Sequence, residues 1–596
     1  MTNRQGEPED LAGISESAYI YYIKYMLRSV FLPALLVALS LQNVFAAGAF
    51  TKEDYIKALW MATRFYGGQR SGEGPNWLIM DTQYPKSFTK DKYNGTDVSG
   101  GWFDCGDHVM FGQTQYWAAY SLAKAYELFP KGFYDFYTWD YSDYVTSGNW
   151  SEPSGGESNR IPDIIDELVY EADYIAKAAI DDNTFISQKG EGGPDHRNWV
   201  TAGYMSTLPV DEGGEPRKIY ATKDRPMASY GAATLAIMSR ILDSLNIYPE
   251  RSALYKRKAL TAYNAATNTT ATAGGEGGFY PANESHYDDY ATASIEMYLL
   301  TGEQKYLTNA KAQENDIKKE NYWVYCYNNN YDMAWFNLAV TPNASTTAKK
   351  TFNDFVDTYK TKQKSENKLL NVGDTWGTLR YPLAAAFVLA LQDMVNGNEA
   401  NLQLIYDQVD FVMGANNAKR SFISGFLPKG SGYQTIYVPH HRNVYQSNDI
   451  NVEKNSLKIP EKNKAFGALV ANDGFKSDFN GTVDSYTSSE VCTDYNMGLV
   501  GALAYIVSKL APAPDIPPIE VEPPEEPEPI IPLANKTSLG NFTVRFVGTQ
   551  EFPAQSKSFT VQIFDLKGNK ISTIKSEGQA VRFTLKGKNI YYAVVK

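Results

Sequence analysis

Ile161-Pro162-Asp163-Ile164-Ile165-Asp166-Glu167-Leu168-Val169-Tyr170-Glu171-Ala172-Asp173-Tyr174-Ile175 is the stretch on which the fold turns. Ile161, Ile164, Ile165, Leu168, Ala172 and Ile175 recur at steps of three and four, which places them on one face of a helix. Pro162 suits a first-turn position, where its missing N–H has no intrahelical partner to lose. Upstream, Thr51 caps a helix with Ile56, Leu59, Trp60 and Thr63 on one face, stopped by Gly67-Gly68. Comparable stretches fall near 113–129, 227–245, 252–268, 288–301, 303–313, 332–340, 345–360, 381–396, 399–413 and 496–509. About a dozen helices with no strand series between them exclude a parallel α/β sheet. The loops between them are long and rich in Gly, Asn, Asp and Tyr, and long loops in a compact domain usually carry function.

The chain of 596 residues exceeds one average domain, and its ends differ in character from this helical middle. Lys24 and Arg28 precede an apolar run from Val30 to Leu41, and Val44-Phe45-Ala46 offers small residues for cleavage. Residues 1–46 therefore read as a leader carrying an export signal that starts at Met26; its run is too short to span a bilayer. Residues 47–510 form the helical domain. Residues 511–533 hold nine of the 28 prolines interleaved with six acidic residues, the composition of an extended linker. In residues 534–596 Phe542, Val544 and Phe546 alternate, as do Val561 and Ile563, then Val581, Phe583 and Leu585, which marks a small β module. Ten Lys/Arg against three Asp/Glu make that module basic within a chain of net charge −12. No basic field exists to hold nucleic acid. Three cysteines exclude a disulfide-dense scaffold. The 43 Tyr, 10 Trp and 28 Phe suit hydroxylated ligands such as sugars, and also simply fill cores.

Three polar clusters are candidates for chemistry. Ser99-Gly100-Gly101-Trp102-Phe103-Asp104-Cys105-Gly106-Asp107-His108 sets two carboxylates three residues apart in a bent loop. Such a pair can orient and activate a water; it can also be a turn capping the helix near 113. Val438-Pro439-His440-His441-Arg442 suits an anion, a metal or sugar hydroxyls, or a plain surface turn. No zinc-type His spacing is present. Tyr486 to Asn496 carries Glu490 just ahead of an apolar helix, either as a helix cap or as an acid whose pKa aromatic surroundings would raise.

In order along the chain these segments resemble glycoside hydrolase family 9, the cellulase family of inverting endo-β-1,4-glucanases. Phe65 to Gly72 resembles the family's first-helix exit. Gly100 to His108 resembles its GGWYDAGDH loop, and Ile161 to Glu167 its IPDLLDE helix. Trp376-Gly377-Thr378-Leu379-Arg380-Tyr381 resembles WGSLRY, Pro439 to Arg442 resembles PHHR, and Glu490 to Asn496 resembles EVAIDYN.

The resemblance implies an all-α (α/α)₆ barrel, six helices inside six, acting on β-glucan as a secreted monomer. It implies Asp107 as catalytic base, Asp104 as the partner that holds the water and Glu490 as general acid. His108, Trp199, Trp376, Arg380, His440, Arg442 and Tyr486 are the implied sugar-site residues. Exo action, mixed-linkage glucan, or non-catalytic glycan binding on a degenerate barrel are the alternatives.

Three features depart from the family pattern. Phe479-Asn480-Gly481 lacks an Asp found nine residues before the acid, and Asp484 lies three positions away. The segment expected to bind structural calcium falls at Arg225–Gly231 without a carboxylate, leaving only Asp288 and Asp289; no cofactor is expected to be required. The β module does not resemble a cellulose-binding module. Val561 to Gly568 is similar to sorting or anchoring modules of exported bacterial enzymes, which makes surface or secretion machinery a candidate partner. Cys105 and Cys492 replace alanines of the family pattern beside the acid and base. They are expected either to bridge the two loops or to fill alanine-sized spaces, with Cys326 left unpaired.

Overall fold

The computed structural model describes residues 47–75, 84–135, 159–198, 200–321, 323–436, 438, 465–479 and 485–510, with six strands near the C-terminus. The leader 1–46 and the linker 511–533 lie outside the described residues. The chain divides into two units, Met1–Pro518 and Ile519–Lys596.

Twelve helices of ten or more residues build the described part of the first unit. They are α1 (Lys52–Gly68), α2 (Gly112–Leu128), α3 (Asp163–Ala178), α4 (Arg225–Leu245), α5 (Pro249–Thr267), α6 (Tyr287–Thr301), α7 (Gln304–Gln313), α8 (Tyr331–Val340), α9 (Ala348–Thr361), α10 (Arg380–Asn396), α11 (Leu402–Met413) and α12 (Thr493–Leu510). The even-numbered helices touch in the cyclic order α2, α4, α6, α8, α10, α12 and back to α2, and the odd-numbered ones pack outside them. This is an (α/α)₆ barrel.

Burial separates inner α10 and α12 from outer α9, although outer α1 is also buried from Asp54 to Gly68. In α10 every residue from Tyr381 to Asp393 is buried, and in α12 every residue from Thr493 to Val507. Helices apolar on all sides belong inside a large core. The outer α9 buries only Ala348, Phe352, Phe355, Val356 and Tyr359, one face at helical spacing.

Ends follow local chemistry. Thr51 and Asp54 form a capping box on α1, and Asp224 caps α4 by accepting from Met227 N at 2.8 Å. Pro162 is the N-cap of α3 rather than a first-turn residue, since its ψ of 130° is not helical; the free first-turn N–H of Asp163 goes to Tyr134 O. Short strands β1 (Met110–Phe111), β2 (Gln188–Lys189) and β3 (Ile219–Tyr220) form a small antiparallel sheet in order β1-β2-β3 at one end of the barrel.

The second unit holds β4 (Phe542–Phe546), β5 (Thr549–Phe552), β6 (Phe559–Asp565), β7 (Lys570–Ser576), β8 (Val581–Thr584) and β9 (Tyr591–Val595). One antiparallel sheet runs β7-β6-β9-β4, and β8 pairs with β5. Among the described residues no helix is long and apolar enough to cross a membrane.

Candidate active site

Asp104 and Asp107 sit on the loop that leads from Val98 into β1 and α2. Two left-handed glycines, Gly100 (φ 98°) and Gly101 (φ 85°), start its bend. A Cβ on Gly101 would lie 2.4 Å from the Tyr174 ring, so the backbone passes where no side chain fits. Phe103 N donates to Gln69 O (2.7 Å) and Asp104 N to Val109 O (3.0 Å), tying the loop to the end of α1 and closing it on itself.

Glu490 arrives from the far end of the domain. It follows the single turn Tyr486–Ser489, and its carbonyl accepts from Ala471 N at 2.9 Å. Three residues later α12 begins, and Thr493 N donates to Asp104 O at 2.9 Å, joining the two loops directly. Cys105 and Cys492 form a disulfide across the same junction, with Cα atoms 3.9 Å apart and 387 residues between them in sequence. The Glu490 carboxylate approaches both sulfurs within 4.8 Å. Cys326 is free and buried, and burial pushes its thiol up to about 12.

Asp104 and Glu490 both sit where burial raises a carboxylate pKa. Asp104 is buried and accepts hydrogen bonds from the Thr114 and Tyr280 hydroxyls, the latter at 2.6 Å. Burial and then the neighbouring charges of Asp107 and Asp494 still push its pKa well above the usual range. Glu490 is pushed up to about 8, first by burial and then by the charge of Asp107; the Trp376 N–H and the Arg380 charge oppose the shift. Trp376 Nε1 lies 3.3 Å from Glu490 Oε2, and its half-exposed indole meets the Tyr486 ring at 5.4 Å. On the other side His196 Nε2 lies 3.3 Å from Asp107 Oδ2. The His196 ring stacks on Phe279 at 5.3 Å and 7°, and its Nδ1 donates to Gly192 O at 2.6 Å. Among the described residues, half-exposed rings thus lie beside the sheltered acids, Trp376 and Tyr486 next to Glu490 and the His196–Phe279 pair next to Asp107, and the space between them is the candidate cleft.

The model of the family described as "Glycosyl hydrolase family 9" matches residues 55–503. The chain belongs to that family. It is 38% identical over 416 residues to "Endoglucanase A" of Fibrobacter succinogenes, spanning 67% of this chain and 89% of that protein. "Endoglucanase" of Dictyostelium discoideum is 29% identical over 492 residues, 76% of this chain and 61% of the relative. Among solved structures, the cellulase Cel9M of C. cellulolyticum superposes with a TM-score of 0.64 at 25% identity, covering 77% of this chain and 99% of that one.

Not every residue expected at the sugar sites of this family 9 chain faces the cleft. His108 is fully buried between the rings of Phe88 and Phe103, and its backbone N–H donates to Asp195 Oδ1 at 3.1 Å. It cannot touch a substrate; its neighbour Asp107 takes the cleft side of the turn. Arg380 is committed inward, bonded to Asp494 Oδ2 at 2.7 Å and lying over the Tyr381 and Tyr495 rings. It reaches Glu490 through its charge rather than by offering free donors to a sugar. Trp376 and Tyr486 line the cleft, whereas Trp199, His440, Arg442, Gly481 and Asp484 lie outside the described residues. His196, Tyr280 and Thr114 escaped the sequence reading. The run Gly192-Gly193-Pro194-Asp195-His196, loop chemistry around one of only five histidines, was the available signal for the first.

Asp288 and Asp289 lie in the first turn of α6, both buried. Burial pushes Asp288 up to about 6 and Asp289 well above the usual range, the latter also through the charge of Asp288. Tyr230 and Asn283 face Asp289, and Asn330 N donates to Asp288 Oδ2 at 3.2 Å. Asp288 Oδ1, both Asp289 oxygens and the side-chain oxygens of Asn283 and Asn330 are buried without a well-formed hydrogen bond. An all-oxygen set of this kind fits a hard cation such as calcium.

Proposed function

We propose that this chain is an endo-acting hydrolase of β-1,4-glucan that inverts the anomeric centre in one displacement. Water attacks the anomeric carbon on the face opposite the leaving oxygen, Asp107 takes the proton from that water, and Asp104 helps to hold it. Glu490 gives its proton to the glycosidic oxygen as the C–O bond breaks.

The observation that carries this reading is the meeting of Asp104, Asp107 and Glu490 on two loops joined by a disulfide and a backbone hydrogen bond. A Glu490 pKa near 8 keeps the acid protonated at neutral pH. Burial and the neighbouring charges of Asp107 and Asp494 push Asp104 well above the usual carboxylate range, so Asp104 suits holding the water by a hydrogen bond while Asp107 is assigned the role of base. The exposed Trp376 and Tyr486 on one flank and the Phe279–His196 stack on the other give flat sugar rings a surface. The likeness to endoglucanases supports β-1,4-glucan as the substrate.

The enzyme acts outside the cell as a monomer after removal of its leader, and its basic β module attaches it to a surface or to secretion machinery. Asp288 and Asp289, with Asn283 and Asn330, would hold a structural calcium that takes no part in the chemistry.

Kinetics on two substrates test the roles. Glu490→Gln should lower kcat on cellohexaose by about 10²–10⁴-fold and spare β-cellobiosyl fluoride, whose leaving group needs no proton. Asp107→Asn should abolish both. The first-formed sugar should carry an α-configured reducing end by NMR; a β-product sinks the inverting mechanism.

A further inference from the structure

We propose that Lys189 is a positioning residue for the reaction, clasping shut the loop that carries Asp104 and Asp107. The inference rests on the roles just proposed for those two aspartates.

The loop spans Val98 to Val109, and Lys189 holds both of its ends. At the exit, the Lys189 backbone is in β2, paired with Met110 of β1. At the entry, the same residue's Nζ donates to Val98 O and Gly100 O, each at 2.8 Å. One side chain thus closes a turn of a dozen residues from beneath. The Nζ group is fully buried, 4.2 Å from the centre of the Tyr174 ring and 3.5 Å from Asp91.

Around it, two further ionisable side chains hold the interior of the loop by its backbone. Glu171 accepts from Trp102 N at 2.8 Å, and Arg217 Nη1 donates to His108 O at 2.8 Å while pairing with Asp91. Burial lowers the Lys189 pKa to about 7, with Asp91 and Glu171 opposing the shift and Arg217 adding to it; protonated or neutral, its Nζ keeps N–H groups to donate to the two carbonyls. The Tyr174 ring under Lys189 is the one that blocks a Cβ at Gly101, so the bend has no room to slide.

Burying charge is costly, and a hydrophobic residue of similar volume often serves stability equally well. Here the buried ionisable groups are spent on backbone groups of this loop, the segment whose placement the water geometry depends on. A misplacement of about 1 Å is enough to cost about 10²-fold in rate.

The test uses K189M and K189Q in the full chain, each checked by its melting curve to be folded at 25 °C. We expect K189M to lose about 10²-fold in kcat on cellohexaose and on β-cellobiosyl fluoride alike, because the water step is common to both. KM should stay within about threefold, and K189Q, which keeps a donor, should recover part of the loss. Wild-type kcat in folded K189M overturns the proposal, as does a loss confined to KM or one that spares the fluoride. Failure of both variants to fold also overturns it, since Lys189 would then hold the domain rather than the loop. An inactive wild type on both substrates would instead refute the glucanase reading itself.

Discussion

Replacing Cys105 and Cys492 together by alanine removes the bridge between the two loops and the two sulfurs beside Glu490. The bond spans 387 residues. Chain entropy alone gives ~6 kcal/mol for a loop of that size, and native bridges commonly contribute about 2–5 kcal/mol. In a domain of about 460 residues the unfolding entropy is ~1 kcal/mol per kelvin, so a loss of that order lowers Tm by only ~2–5 °C. Activity should survive, because the Thr493–Asp104 backbone bond and the Tyr66 hydroxyl on Thr493 O (2.8 Å) still join the loops. We expect kcat at its optimum to fall less than about tenfold.

The sharper effect concerns pH. Glu490 is raised to about 8 chiefly by burial, and both sulfurs lie within 4.8 Å of its carboxylate. Losing both sulfurs leaves room for water, which weakens that desolvation and lowers the pKa. Because the acid must be protonated, the alkaline limb of kcat should move to lower pH. Three measurements check the chain of reasoning: thiol counting on denatured, unreduced protein, a melting curve, and a kcat–pH profile on soluble glucan. Wild type should show one free thiol, Cys326. Three free thiols, or a limb that moves upward, refute it.

The remaining predictions use other neighbours. Trp376→Phe removes an N–H that favours ionised Glu490, so its pKa should rise and the alkaline limb of kcat should extend; the half-exposed, 3.3 Å bond limits this to less than about one pH unit. Arg380→Met should push the limb the same way and, by leaving Asp494 buried without its partner, cost about 3–5 kcal/mol in a denaturant titration. Chelation with EDTA should lower Tm and added calcium restore it, with both responses lost in D288N/D289N; an unresponsive wild type rejects the cation site. A chain ended at Pro518 should keep full activity on soluble glucan and its Tm, because a Pro/Glu linker buries almost nothing.

What sequence could and could not deliver here follows from the range of the interactions. The helices α3 and α10 were legible because burial writes itself into local pattern: apolar residues at helical spacing in α3, a nearly unbroken apolar run in α10. The pairing of Asp104 with Glu490 has no local trace, since 386 residues separate them, and it surfaced only through the order of motifs. The one-residue shift at Pro162 reflects its non-helical ψ, and Asp163 N finds its partner in Tyr134 O, a tertiary contact that propensity does not contain. His108 misled for a related reason. Adjacency to Asp107 suggested a shared cavity, yet a bent loop sends neighbours to opposite sides, and Phe88 and Phe103 claim the histidine for the core. Tyr280, Lys189 and Arg217 lie on irregular or two-residue segments where no period exists to be read. Their partners are backbone carbonyls and carboxylates from 89 to 176 residues away. Motif order therefore revealed the acids, while the side chains that hold them in place emerged only once the loops were folded against one another.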